Sequence, residues 1–181
     1  MDARAELIEL VNRHAVKHGD FTLASGAKSS YYIDCRKVTL LAAGAKLIGQ
    51  GMLEFMAEVD YDAIGGMTLG ADPIVGAVIT LSAETRPDLK GLLVRKEAKS
   101  HGTGQAIEGP LEGNERVVVV EDVTTSGGSA MKAINALREA GCQVVQVLTV
   151  LDRNAGATEL FEKEGIAFRS LLTLTDLGLA P

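Results

Sequence analysis

Residues 117–120 are four consecutive valines, followed at once by Glu121 and Asp122 and then by the small, hydroxyl-rich run Val123 to Ser129. A β-branched run without polar alternation predicts a strand buried on both faces. Such a strand needs cover above and below, which a parallel sheet between helical layers provides. The rest of the chain agrees. Short apolar segments at 62–65, 91–94, 116–120, 143–151 and 166–172 end in glycine-rich or charged loops, with helical patterns between them. The fold class expected is α/β, a mainly parallel central sheet flanked by helices. In such sheets ligands bind beyond the carboxyl ends of the strands, so the chemistry is sought in the loops that follow them.

Ahead of this series, helical patterns cover about 2–18 and 40–58, with Leu7, Ile8, Val11 and Ala15 on one face of the first. Between them Phe21 to Asp34 reads as two short strands around Ser25-Gly26-Ala27. A chain of 181 residues suits one domain, 1–181, with an N-terminal helix and hood over about 1–40 and a core over about 60–175.

The acids at 121 and 122 repel one another unless they face a cation or hydroxyl donors. The vicinal hydroxyls of a ribose are such donors, and a bound Mg²⁺ is such a cation. Thr124, Thr125, Ser126, Gly127, Gly128 and Ser129 let a ligand approach the backbone, and successive N–H groups opening a helix cradle an anion. Together these residues fit a phosphate beside a ribose. An ordinary strand–turn–helix connection with a Ser or Thr cap is the plainer alternative. Two rival nucleotide motifs fail: no G-x-x-x-x-G-K-[ST] run exists, and no G-x-G-x-x-G follows a strand.

A second cluster lies at 95–104, RKEAKSHGTG, where Arg95, Lys96, Lys99 and His101 place four cationic side chains within seven residues. Apolar content is low from there to Val117, which predicts a long loop of the kind that forms lids, or a solvated charged loop. Cations aimed at a departing diphosphate would stabilise the charge that develops on it, and a closing lid would exclude water.

The valine–acid–TTSGGS segment resembles the phosphoribosyl-diphosphate signature of type I phosphoribosyltransferases. That resemblance implies that Glu121 and Asp122 hold the ribose and that Thr125 to Ser129, with Thr124, hold the 5-phosphate. The pattern R-K-x-x-K-x-H is similar to the catalytic loop of the orotate-specific members, as are the segment from Phe21 to Asp34 and Leu151-Asp152-Arg153. The resemblance covers about residues 18–175. It implies phosphoribosyl diphosphate and orotate as substrates, Mg²⁺ carried mainly through the diphosphate, and a homodimer in which the loop reaches the partner's site. Lys99, His101 and Asp122 would be the catalytic residues. Arg95, Lys96, Lys99 and His101 would contact the donor, and Thr125 and Arg153 the orotate. Arg153 can fork onto a carboxylate; a surface salt bridge is its plainer reading.

The chain departs from the common pattern at Ala24, where many relatives carry lysine, and in 65–73, GGMTLGADP, which has none. Lys28 or Arg36 is the candidate replacement for the first. Backbone N–H groups of Thr68 to Asp72 are candidates for the second, with Asp72 as cap of a helix from Pro73. Tyr31 and Tyr32 either stack on the base or alternate as one buried and one exposed strand residue.

A net charge of −6 argues against general nucleic-acid binding, and absence of Trp with 4% aromatic content argues against base-stacking platforms. No run of 18 apolar residues and no signal-peptide pattern is present, so a cytoplasmic protein without membrane spans is expected. Cys35 and Cys142 lack metal-ligand spacing and read as reduced thiols. A phosphoribosyltransferase for a purine base and a regulatory sensor of the donor are the alternative functions.

Overall fold

The computed structural model describes residues 2–22, 26, 28–96 and 106–180. Lys99 and His101 lie outside them, as do Ala24 and the rest of 97–105.

The chain opens with helix α1 (Ala3–His14), capped by the Asp2 side chain. Two antiparallel strands follow, β1 (Val16–Thr22) and β2 (Lys28–Ile33), which form a sheet of their own. The first helix therefore ends four residues before the expected position. Pairing of Val16 with Ile33 and of Lys17 with Tyr32 draws residues 16–18 into the hairpin. The short α2 (Arg36–Thr39) and the longer α3 (Ala42–Phe55) lead to β3 (Ala63–Met67) and α4 (Asp72–Ser82). After them come β4 (Lys90–Val94), β5 (Ile107–Glu108) and β6 (Arg116–Thr124). Then follow α5 (Gly128–Glu139), β7 (Gln143–Asp152), α6 (Ala157–Lys163), β8 (Ala167–Thr173) and a 3₁₀ turn at Thr175–Leu177.

The main sheet has the order β5-β4-β3-β6-β7-β8 and is parallel except for β5. Its valine strand explains the fold. Val118 and Val120 enter one core with α1, α3 and α4, through Leu7, Ile48 and Ile74. Val117 and Val119 enter another with α5 and α6, through Ile134 and Phe161. Alternate side chains of one strand thus face two separate apolar layers, which is why no polar residue interrupts the run.

Two expectations require correction. Strand β6 does not stop at Val120: Val123 pairs with Leu151 and Thr124 with Asp152, so both acids sit inside the strand. The segment before it is not wholly loop, because Ile107 is buried and pairs with Val94 at the sheet edge.

The hairpin is tied to the far end of the chain. Tyr31 is buried, and its hydroxyl donates to the carbonyl of Ala180 at 2.8 Å. Arg4 of α1 bonds Asp176 at 2.8 Å.

Candidate active site

Strand order reverses between β3 and β6: the chain leaves β3 for β4 on one side and returns to pair β6 on the other. Such a switch point opens a crevice at the carboxyl ends of the two strands. Glycines bring the strands and their loops together here. A Cβ on Gly66 would stand 2.3 Å from the Val120 carbonyl oxygen. One on Gly70 would stand 2.7 Å from Asp122 Oδ1 and 3.2 Å from Glu121 Oε1. The loop after β3 therefore packs its backbone directly against the acid pair.

Glu121 is only 6% exposed, and its Oε2 has no hydrogen-bond partner among the described residues. Burial and then the neighbouring Asp122 charge push its carboxyl up to about 7, with Ser129 and Lys96 acting in the opposite sense. Burial also raises Asp122, whose Oδ1 accepts the Val123 N–H at 2.9 Å. Two adjacent buried carboxylates without an ion pair among the described residues, with Lys96 and Arg36 acting on them only from a distance, are costly for the fold, which marks them as groups kept for a ligand.

Beside them, Thr124 to Ser129 wrap a small cavity of about 150 Å³ that also touches Glu121. Gly127 has φ +82° and forms the N-cap of α5, where no side chain caps the helix. The first α5 hydrogen bond runs from Met131 N–H to Gly127 O, so the N–H groups just ahead of it have no intrahelical partner. These donors and the positive helix end suit an anion of phosphate size. Thr124 Oγ1 is buried without a partner in the same wall. The glycine cap replaces the plainer Ser or Thr cap considered for this turn.

A larger cavity of about 380 Å³ adjoins the acids, walled by Tyr32, Asp34, Arg36, Thr68–Gly70, Lys96 and Ser129. Its contents sort the sequence candidates. Lys96, Glu121, Asp122 and Ser129 come together there, and Glu121 with Thr124, Thr125, Ser126, Gly127, Gly128 and Ser129 line the smaller cavity. Arg95 is drawn aside: its Nε donates to Glu108 Oε1 at 2.8 Å across the sheet edge. Arg153 follows β7, its backbone N–H bonded to Thr124 O, and its guanidinium lies 5.8 Å from the Tyr31 ring. Tyr31 is core, whereas Tyr32 is 43% exposed and faces the larger cavity. Lys28 is engaged with Thr22 Oγ1 at 2.8 Å, so Arg36 is the basic residue that reaches this cavity from the hairpin. Asp72 is not a cap: helix α4 starts one residue earlier, Ala71 takes the cap position, and Asp72 enters the first turn with Oδ1 unpartnered.

Asp34, Cys35 and Gly70 were not singled out as site residues from sequence. An acid and a base flanking one residue directly after a strand, Asp34-Cys35-Arg36, was the available signal for the first two. Nothing local marks Gly70, because its role lies in what it approaches. Two hard carboxylates suit Mg²⁺, which takes oxygen ligands and retains water. Among the described residues no group of three His, Cys, Asp or Glu could hold a metal. An ion at these acids must therefore be completed by oxygens of ligand and water.

Residues 76–165 match the family model of the phosphoribosyl transferase domain. The class that this site and sheet define, an α/β enzyme domain with a glycine-capped anion cradle beside a buried acid pair, is that of the phosphoribosyltransferases. The orotate phosphoribosyltransferase of Corynebacterium glutamicum (strain R) is 53% identical over 179 residues, 99% of this chain and 96% of the relative. That of Mycobacterium tuberculosis, solved with Fe(III) dicitrate, superposes with a TM-score of 0.88 at 48% identity, over 98% of this chain and 99% of that one. Its structure with 5-phospho-α-D-ribosyl 1-diphosphate gives 0.82 at 43% identity, over 98% and 99%. The chain belongs to the orotate phosphoribosyltransferase family, and its fold is that of the type I phosphoribosyltransferases. Among the described residues no helix is long and apolar enough to cross a membrane.

Proposed function

We propose that this protein transfers the 5-phosphoribosyl group from phosphoribosyl diphosphate to orotate, giving orotidine 5′-monophosphate and diphosphate in pyrimidine biosynthesis. The buried Glu121–Asp122 pair, with Glu121 Oε2 unpartnered among the described residues, beside the anion cradle at the start of α5 carries the reading. The M. tuberculosis relative with the donor bound supports it.

In this reading the 5-phosphate lies on the N–H groups of Thr125 to Ser129, with the Thr124, Thr125, Ser126 and Ser129 hydroxyls as further donors. Glu121 and Asp122 accept hydrogen bonds from the ribose hydroxyls, which fixes the anomeric carbon over the larger cavity. The base nitrogen bonds to the anomeric carbon there and releases its proton to water, and the electron pair of the broken C–O bond leaves with the diphosphate oxygen. Mg²⁺, bound to the diphosphate and completed by this acid pair or by water, would neutralise charge on the leaving group. Lys96 meets that charge from the cavity wall. Lys99 and His101 are assigned to the same task, and Arg95 with them once freed from Glu108, on the sequence pattern alone. Arg153 and Thr125 bind the acceptor, Arg153 by a fork onto its carboxylate.

The protein acts as a homodimer whose 95–101 segments serve the partner's site. Leu40 and Leu69, 74% and 68% exposed, border an open apolar recess next to the larger cavity, which supports a buried contact there. It works in the cytoplasm, a reducing compartment that suits its free, buried Cys35 and Cys142.

Diphosphate release with Mg²⁺, phosphoribosyl diphosphate and each base in turn tests the reaction. Release with orotate alone is expected; release with adenine or hypoxanthine and none with orotate would overturn it. Mixed Lys99→Ala and Asp122→Ala chains should recover activity if sites are shared, and no recovery after proven chain exchange removes the shared site.

A further inference from the structure

The larger cavity is acidic where its ligand must be anionic. Asp34, Glu121 and Asp122 line it, and its described cationic side chains are Arg36 and Lys96. Resting on the proposed reaction, we infer that Arg36 is a diphosphate-binding residue, held ready by Asp34 on the wall that faces the acid pair.

The geometry is that of a pre-set fork. Arg36 Nε lies 2.8 Å from Asp34 Oδ1, and Nη2 lies 3.3 Å from Oδ2. The Arg36 backbone N–H also donates to Asp34 Oδ1, at 3.2 Å. Two of the five guanidinium N–H donors are thus used, and Nη1 with the second Nη2 hydrogen has no partner among the described residues. The guanidinium is half exposed, at the mouth of the cavity rather than in a core. Residue 36 opens the four-residue α2 directly after the hairpin, so two short elements fix its backbone. Its rotamer is already restrained, which lowers the entropy lost when an anion binds.

Position selects the diphosphate over the other anionic groups of the substrates. The 5-phosphate end of the donor is set by the loop from Thr124 to Ser129, and Arg36 does not touch that cavity. The acids come next, and the leaving group attached to the anomeric carbon extends beyond them into the space that Arg36, Lys96 and the Thr68–Gly70 backbone enclose. That loop contains no lysine and that hairpin sends no other basic side chain into the cavity. Arg36 and Lys96 then approach the leaving group from different elements, and the planar fork of Arg36 matches two phosphate oxygens at once.

Isothermal titration with Mg²⁺ present separates the roles, using inorganic diphosphate, phosphoribosyl diphosphate and ribose 5-phosphate as probes. Arg36→Ala should bind diphosphate and phosphoribosyl diphosphate about 10- to 100-fold more weakly, the loss of a charge-assisted hydrogen-bonding pair. Ribose 5-phosphate, which lacks the leaving group, should bind within about twofold of wild type, and Arg36→Lys should recover part of the loss by restoring charge without the fork. Unchanged diphosphate affinity in Arg36→Ala overturns the proposal. So does a parallel loss of ribose 5-phosphate binding, which would mean a general structural role. Wild-type protein that binds no phosphoribosyl diphosphate removes the functional reading and this inference together. Wild-type binding beside a diphosphate-indifferent variant removes this inference alone.

Discussion

Glu115 and Glu121 are neighbours in sequence, at opposite ends of the valine run, and the two ends treat a buried carboxylate in opposite ways. Glu115 is 2% exposed and accepts hydrogen bonds from the N–H groups of Glu112, Gly113 and Asn114, from Lys90 and from the Cys142 thiol. Burial pushes it up, but Lys90 and these backbone donors outweigh burial and hold it at about 2. Nearby, Arg116 forks onto Asp62 and also bonds Asp60. Glu121 is buried to a similar degree, yet among the described residues one of its oxygens has no partner, and burial carries it to about 7. The amino end of the sheet spends its charges on holding strands and turns together. The carboxyl end leaves them unsatisfied for a substrate. Identical residue types, one just before the strand and one within it, thus divide into structural and functional by whether the fold supplies donors.

The sharpest way to break this contrast is Asp122→Ala. Activity should fall by two to three orders of magnitude, roughly 3–4 kcal/mol of transition-state stabilisation, with the melting temperature unchanged or higher. Loss of fold with loss of activity would place Asp122 among the structural acids. Glu115→Ala should do the reverse, costing about 3 kcal/mol in urea unfolding through three orphaned N–H groups, with normal turnover in the folded fraction.

The pH dependence separates the ends further. Glu115 is depressed below its unfolded value of 4.5, so its stabilisation is present above pH 4.5 and is lost as pH falls toward about 2. Glu121 is raised, so the folded chain holds a proton that the unfolded chain releases between pH 4.5 and about 7. Stability therefore declines across that window as pH rises. Glu121→Gln should gain about 2 kcal/mol above pH 7 and nothing below pH 4.5, read from unfolding curves at both pH values. A gain that is the same at the two would show that the cost is not electrostatic.

Gly70→Ala is a gentler probe. The new Cβ meets the tip of the Asp122 side chain rather than backbone, so the carboxylate shifts and the fold survives. About a tenfold drop in kcat/KM with little change in stability is expected, and full activity would show that Asp122 has room to spare. The smallest effect belongs to Arg138, whose 2.9 Å bridge to Glu164 is exposed. Arg138→Ala should cost less than about 0.5 kcal/mol and leave catalysis alone.

Much of the sheet was legible because its strands are buried on both faces, and buried strands carry long apolar runs. The phosphate loop was legible for a related reason: one contiguous segment supplies its donors, its glycines and its acids. Contacts between distant segments were not. Strand β5 is two residues long and exists only through pairing with Leu93 and Val94. The acids at 121 and 122 read as loop because charge ends a strand in most contexts, whereas pairing of β6 with β7 carries the ladder on to Thr124. Arg95 read as a free cation, and its partner Glu108 comes beside it through the pairing of β5 with β4, which no local pattern marks. Asp72 read as a cap because Pro73 follows it, but the helix begins at Asp72 and leaves the cap position to Ala71.

The hydrogen bond from Tyr31 to the Ala180 carbonyl has a consequence for the acceptor side of the crevice. Tyr31 is the ring over which the Arg153 guanidinium lies, and Tyr32, the next residue, faces the cavity. The last turn of the chain thereby acts as a tether for the hairpin. In the proposed reaction, selectivity for the acceptor base then rests partly on the anchoring of the segment around Ala180, and changes there belong among those that alter substrate choice without touching a substrate contact.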